Sequence, residues 1–179
     1  MPQTIITTDT PVVPSTRGAS HTLSILVNNQ PGVLMRICQV FSRRAFNIDS
    51  LVVSEGRNAN FSRMTIGISG DPEGLGQIIM QVNKLIDVIH CSEHDDEESV
   101  VKEMVMVKIL ADNSKRTQAL QIIEHFGGKT VDLTPNSLIA LVAGNSSKID
   151  AAITMFSQFE IIETVRTGKV VMARGEQPT

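Results

Sequence analysis

Few residues in this sequence are grouped in a way that supports chemistry. His90, Cys91, Glu93 and His94 bring metal-ligating types together. On a strand, His90 and His94 would share a face but stand ~13 Å apart at ~3.3 Å per residue. One Zn²⁺ needs its ligands within ~2 Å of the metal, so a strand cannot present both histidines to one ion. Gly128, Lys129 and Thr130 carry the last three residues of a phosphate-binding loop, but the full pattern needs glycine where Ile123 stands. Gly127 and Gly128 read instead as a helix stop. Gly74 and Gly76 lack the third glycine of a dinucleotide fingerprint. Cys38 falls within a predicted helix and reads as a small hydrophobe. No Ser-His-Asp or paired-carboxylate set stands out, and no catalytic residue or metal ligand is assigned.

One junction is more informative. In "NNQPGVL", residues 28–34, an apolar run gives way to an amphipathic one. A helix start leaves unpaired N–H groups and a partial positive charge, which suit a carboxylate or phosphate. Pro31 fits the first turn because its missing N–H is not needed there. Gln30 is a poor N-cap, so Gly32, Val33 and Leu34 offer N–H groups, and Gly32 lets a ligand approach the backbone. Asn28 and Asn29 add amide donors and acceptors. Two readings stand. The junction holds an α-amino acid, with N–H groups on its carboxylate and the Asn29 oxygen on its ammonium. Alternatively, it is an ordinary loop in which Asn29 caps the helix.

These residues must be positioned by the elements around them. The chain has 179 residues, 41% hydrophobic and 20% charged, with a net charge of −3. That is the composition of a globular protein, without the basic footprint of a nucleic-acid binder. Trp and Tyr are absent, so platforms for stacking bases are scarce. No apolar run reaches the ~20 residues of a membrane span. Cys38 and Cys91 make no disulfide framework, which points to a reduced, cytoplasmic setting. Residues 1–19 are rich in Thr, Ser and Pro and read as a disordered tail.

The pattern then runs through twice. "HTLSILV" predicts a strand, and Val33, Leu34, Ile37, Phe41 and Ala45 form a helical stripe. "NIDSLVVSEG" and "FSRMTIGISGD" predict two strands. Leu75, Ile78, Ile79, Val82 and Ile86 form a second stripe, begun by Asp71 and Pro72. "DVIHCSE" closes the unit. An acidic linker over 95–102 follows. "EMVMVKIL", the Ala119, Ile122, Ile123 and Phe126 stripe, "KTVDLT", "SLIALVAG", the Ile149, Ala152, Ile153 and Phe156 stripe, "EIIETV" and "KVVMARG" repeat the order. The expectation is α+β: two ferredoxin-like βαββαβ domains, over 20–94 and 103–175, with residues 176–179 as a tail. Each has an antiparallel sheet with helices on one face. Leu51, Val52 and Val53 are consecutive, so both faces of that sheet are expected to be covered, most simply in a homodimer.

"HTLSILVNNQPGVLMRICQVFSRRAFNIDSL", continued by "SRMTIGISGD" and "QVNKLIDVI", closely resembles the ACT domain that opens the small, regulatory subunit of acetolactate synthase. "VDLTPNSLIALVAGNSSKIDA" and "VRTGKVVMARG" resemble that family's C-terminal domain. The resemblance covers about residues 20–175. It implies a non-catalytic subunit that activates a catalytic subunit and makes it sensitive to feedback inhibition, usually by valine. That catalytic subunit would use thiamine diphosphate, Mg²⁺ and FAD; this chain would bind none of them.

The resemblance also implies an effector site at the ACT dimer interface, with Asn29, Gly32, Val33 and Leu34 from one chain and Asn47 and Ile48 from the other. Arg36, Arg43, Arg44 and Arg63 are candidates for contact with the catalytic subunit. The sequence departs from the family pattern at Asn28, where an acid is frequent, at Pro31, where a small polar residue occurs, and at Ala45, where glycine is usual. The rival reading is a free-standing ACT-domain sensor that controls another enzyme or transcription.

Overall fold

The structure is a computed structural model and describes residues 20–179 apart from 71, 96 and 177. The tail expected over 1–19, and Asp71 of the expected helix start, lie outside the described residues.

The first unit runs β1 (Ser20–Asn28), α1 (Val33–Arg43), β2 (Asn47–Glu55), β3 (Phe61–Ser69), α2 (Pro72–Val82) and β4 (Val88–His94). The second runs β5 (Ser99–Leu110), α3 (Asn113–His125), β6 (Lys129–Leu133), β7 (Ser137–Gly144), α4 (Ser146–Phe156) and β8 (Glu160–Arg166), followed by β9 (Val170–Ala173). The sheets are ordered β2-β3-β1-β4 and β6-β7-β5-β8. All strand pairs are antiparallel. Both units are thus the same split βαβ design.

Side-chain periodicity explains both cores. In the first, Leu23, Ile25 and Val27 alternate along β1 and meet Met64, Ile66 and Ile68 of β3. Val33, Ile37 and Phe41 from α1, with Leu75, Ile78 and Val82 from α2, close that face. In the second, Val105, Val107 and Ile109 pack with Leu138, Ala140 and Val142 under Ala119, Ile122, Ile149, Ala152 and Phe156.

Ala45 does not extend the α1 stripe. It is exposed, with φ 56°, just past the helix end. The Ala45 N–H donates to Ser42 O and the Phe46 N–H to Phe41 O, both at 3.1 Å. This is a Schellman stop with alanine in the left-handed position. The matching stop of α3 has Gly127 there (φ 57°), with Gly127 N donating to Glu124 O and Gly128 N to Ile123 O, both at 2.8 Å. Ala45→Gly should therefore stabilise the chain by about 1 kcal/mol, because a Cβ is disfavoured at positive φ. Thermal denaturation checks this, and an unchanged or lower midpoint rejects it.

Ile86 likewise falls outside its predicted stripe and is 93% exposed. The helix ends at Val82, and the Asn83 side chain turns to the backbone of β4. It accepts from Cys91 N at 2.8 Å and donates to Cys91 O at 3.0 Å. That pairing satisfies part of an edge strand.

The three consecutive apolar residues of β2 are not equally covered within one chain. Leu51 and Val52 are half-buried and Val53 is 45% exposed. The bulge at Asp49 puts Ile48, Leu51 and Val53 on the helix side and Ser50 and Val52 on the other. That other face holds Thr22, Ser24 and Thr65, all buried, and part of it is covered by the chain's own C-terminal half. A Cβ on Gly168 would lie 2.8 Å from Val52 Cγ2. The Arg63 guanidinium donates to Ser24 Oγ and to Thr179 O, and the Thr179 hydroxyl accepts from Ala173 N. Residues 99–102, read as linker, form the start of β5 because they find a partner strand in β9.

Candidate functional site

The junction after β1 is built as an open helix start. Gly32 is the N-cap of α1, with φ 84°, and no side chain caps the helix. Val33 N makes a long bond to Gln30 O, at 3.4 Å. The N–H groups of Gly32, Leu34 and Met35 have no acceptor among the described residues. Of the expected Gly32, Val33 and Leu34, the first and last are open, while Val33 is engaged and Met35 joins the set. Asn29 does not cap the helix. Its N–H donates to Asn60 O at 2.8 Å and its Nδ2 to Ala59 O at 2.9 Å, which ties the junction to the β2–β3 turn. Val33 is buried in the core, whereas Leu34 is 38% exposed beside the open donors.

Arg36 lies over this junction. Its Nε donates to Asp87 Oδ2 at 2.8 Å, and Nη2 stands 2.6 Å from the same oxygen. A Cβ on Gly32 would lie 3.1 Å from Arg36 Nη1. The guanidinium thus sets its Nη1 beside the helix end while its charge is paired with Asp87, and Arg36 is tied up inside the chain. No sequence signal linked Arg36 to Asp87, which stands far along the chain.

The second unit supplies a built-in comparison. At the equivalent start of α3, Asp112 is the N-cap. Its carboxylate accepts from Ser114 N at 3.0 Å and Lys115 N at 3.2 Å. Hydrogen bonds from Ser114 and Lys115 hold that carboxyl below its usual range. The chain's own anion fills that helix start, whereas the one at α1 is left without a cap.

Asn47 and Ile48 lie elsewhere in the same chain. Asn47 pairs with Ser69 at one end of β3, and Asn28 with Phe61 at the other. At ~3.4 Å per residue the two ends are about 27 Å apart. One chain therefore does not bring the two halves of the expected site together. The Asn47 Nδ2 donates to Asp49 Oδ1 at 2.9 Å, and Ile48 is half-buried against the core.

The other candidates resolve as structure. Cys91 faces the core, and burial pushes its thiol up to about 12, which removes it as a nucleophile or ligand. His94 is bonded through both ring nitrogens, to Ser92 Oγ at 3.2 Å and Ser99 Oγ at 3.1 Å. Among the described residues no cluster of His, Cys, Asp or Glu is placed to hold a metal. Cys38 is half-buried. Gly74 lies against Phe46, whose Cζ would stand 2.8 Å from an added Cβ. At Gly128 an added Cβ would meet Leu141 O at 2.8 Å. Among the described residues no helix is long and apolar enough to cross a membrane.

Two tandem split βαβ units, the first opening on an uncapped glycine junction, place the chain among ACT-domain proteins. Residues 23–90 match the family described as the AHAS small subunit-like ACT domain. Residues 102–175 match the small subunit of acetolactate synthase. The chain belongs to the acetolactate synthase small subunit family. It is 42% identical to the acetolactate synthase small subunit of Mycobacterium bovis, covering 87% of this chain and 93% of that one. It is 41% identical to a probable small subunit from Archaeoglobus fulgidus, covering 88% and 98%. The crystal structure of the Thermotoga maritima small subunit superposes with a TM-score of 0.81 at 34% identity, covering 89% and 99%.

Proposed function

We propose that this chain is the non-catalytic regulatory subunit of a cytoplasmic acetolactate synthase. It activates a catalytic subunit that uses thiamine diphosphate, Mg²⁺ and FAD, and it confers feedback inhibition by valine or another branched-chain amino acid. The observation that carries the effector site is the contrast between the two helix starts. Asp112 closes the start of α3, whereas Gly32 leaves that of α1 open beneath Arg36. An amino-acid carboxylate fits the open N–H groups, and Asn29 faces the ammonium with its amide oxygen.

A homodimer completes the site. β2 is an edge strand. A second copy joined edge to edge on β2 about a two-fold axis runs antiparallel to the first. Its Asn47 end then lies beside the first chain's Glu55 end, which neighbours Asn28 and the junction. Ile48 and Leu34 give such a pocket apolar wall for a branched side chain.

A ligand that bridges two chains favours the dimer geometry that forms its site, and shifts the equilibrium only by its differential affinity. The coupling is reciprocal, so the catalytic subunit weakens valine binding by the factor by which valine disfavours the active complex. Calorimetry with and without the catalytic subunit measures this, and equal affinities would sink the coupling. The whole reading is tested by assaying the chain with pyruvate. It should turn nothing over alone and should stimulate an added catalytic subunit.

A further inference from the structure

We propose that the solvent face of α1 and α2 is the docking surface for an acidic patch on the catalytic subunit, centred on Arg43 and Arg44. This rests on the regulatory-subunit reading above. Of Arg36, Arg43, Arg44 and Arg63, two are committed within the chain: Arg36 to Asp87, and Arg63 to Ser24 and Thr179. The other two stand at the end of α1. Arg44 is exposed and braced by Gln77 Oε1, 2.7 Å from its Nη1. Arg43 is exposed and has no partner among the described residues. With Val40 and Gln81 they line a groove of about 320 Å³ between the two helices.

The sequence around this groove is predominantly basic. No Asp or Glu occurs within α1 and Glu73 is the one acidic residue of α2, while Arg43 and Arg44 stand at the end of α1 and Lys84 just past the end of α2. This is a local excess on a chain whose net charge is −3. The same two helices expose methionines to solvent: Met35 on α1 is 64% exposed and Met80 on α2 is 59% exposed. Met35, Gln39 and Arg43 recur at four-residue spacing and so share one helix face. Arginine and methionine are the types enriched at protein interfaces.

Charge selects the occupant. A second copy docking by the same face would set Arg43 and Arg44 against their own counterparts, which is repulsive at a two-fold interface. The complementary surface is acidic, with small apolar pockets for the methionines. The edge of β2 remains free for the homodimer.

The test uses full-length chains and the catalytic subunit. The double variant Arg43→Glu/Arg44→Glu should raise the concentration of regulatory chain needed for half-maximal activation by roughly tenfold or more. It should also flatten the salt dependence seen with the unchanged chain. The neutral double variant Arg43→Gln/Arg44→Gln should fall between the two. Lys129→Glu, on the exposed edge strand β6, is a charge reversal placed away from this face and should behave as the unchanged chain. Valine binding by the isolated regulatory chain should stay the same.

Unaltered half-saturation in the charge-reversed variant overturns the docking surface. So does a change of oligomeric state in sedimentation, which would assign the face to another copy. Loss of valine inhibition with activation intact overturns it as well. An unchanged chain that stimulates no catalytic subunit overturns the regulatory reading itself, a result distinct from these.

Discussion

Gly32→Asp is expected to abolish valine inhibition of the reconstituted enzyme while leaving activation of the catalytic subunit largely intact. The new carboxylate would stand at the N-cap, where aspartate is a preferred type, and would take the N–H groups of the first turn of α1. It would also face Arg36, whose Nη1 lies 3.1 Å from a Cβ at this position. The variant would bring a carboxylate to the start of α1, as Asp112 does at α3, although from a left-handed rather than an extended backbone. The ligand carboxylate then loses its donors and meets a like charge. Hydrogen bonds to charged groups contribute ~1.5–3 kcal/mol each, so losing two weakens effector binding by at least about a hundredfold. The φ of 84° adds strain of roughly 1–2 kcal/mol, which a melting curve would register separately. Valine titration of activity and calorimetry read the two effects. Inhibition that survives the substitution would place the effector elsewhere.

The second large effect lies in the other unit and concerns stability. Glu103 is 6% exposed on β5. Arg166 on β8 grips it with two bonds, Nε to Oε2 and Nη2 to Oε1, each 2.8 Å. Arg166 Nη1 also meets Asp150 Oδ1 at 2.6 Å. Burial acts to raise the Glu103 carboxyl, but hydrogen bonds from Arg166 and Ser146 and the charges of Arg166 and Lys169 outweigh it, so it sits below its usual range. The same contacts hold the Arg166 guanidinium above its own.

Arg166→Ala strands a buried carboxylate. Breaking such a pair costs ~3–5 kcal/mol. Arg166 is 35% exposed, so water offsets part of the loss and about 3 kcal/mol is expected. Denaturant titration of the full chain at pH 7 checks it, and a loss under 1 kcal/mol would reject the pair's role.

The pH dependence gives an independent sign. Glu103 binds its proton less readily folded than unfolded. Its contribution is therefore present above the unfolded pKa, near 4.5, and is lost as pH falls through the lower folded value. In Arg166→Ala the order reverses, because burial without a partner raises the folded pKa. Lowering the pH from 7 toward 5 should then recover part of the stability that the substitution removes.

Much of this protein is legible in its sequence because it depends on local periodicity. The alternation of Leu23, Ile25 and Val27, and the spacing of Val33, Ile37 and Phe41, specify a strand and a helix face wherever they occur. Twice through the same order they specify two split βαβ units. The glycine in "NNQPGVL" marked an open helix start for the same reason, since an N-cap without a side chain leaves its donors unclaimed. Ala45 and Ile86 continue the apolar spacing past the ends of their helices and so fall outside the core that the spacing predicts. Where a helix stops depends on a left-handed residue in one case and on Asn83 reaching the backbone of β4 in the other.

Only the tertiary structure decided which distant residues meet. Arg36 was one of four similar arginines until Asp87 proved to hold it over Gly32. The covering of the outer sheet face by Gly168 and Thr179, and the burial of Glu103 against Arg166, join residues far apart in the chain. So does the placing of Asn47 at the opposite end of the sheet from Asn29, so that the proposed pocket would need a second chain. Periodicity is a property of neighbours along the backbone, whereas these contacts follow from strand register and helix placement. Both are set by the packing of the whole core.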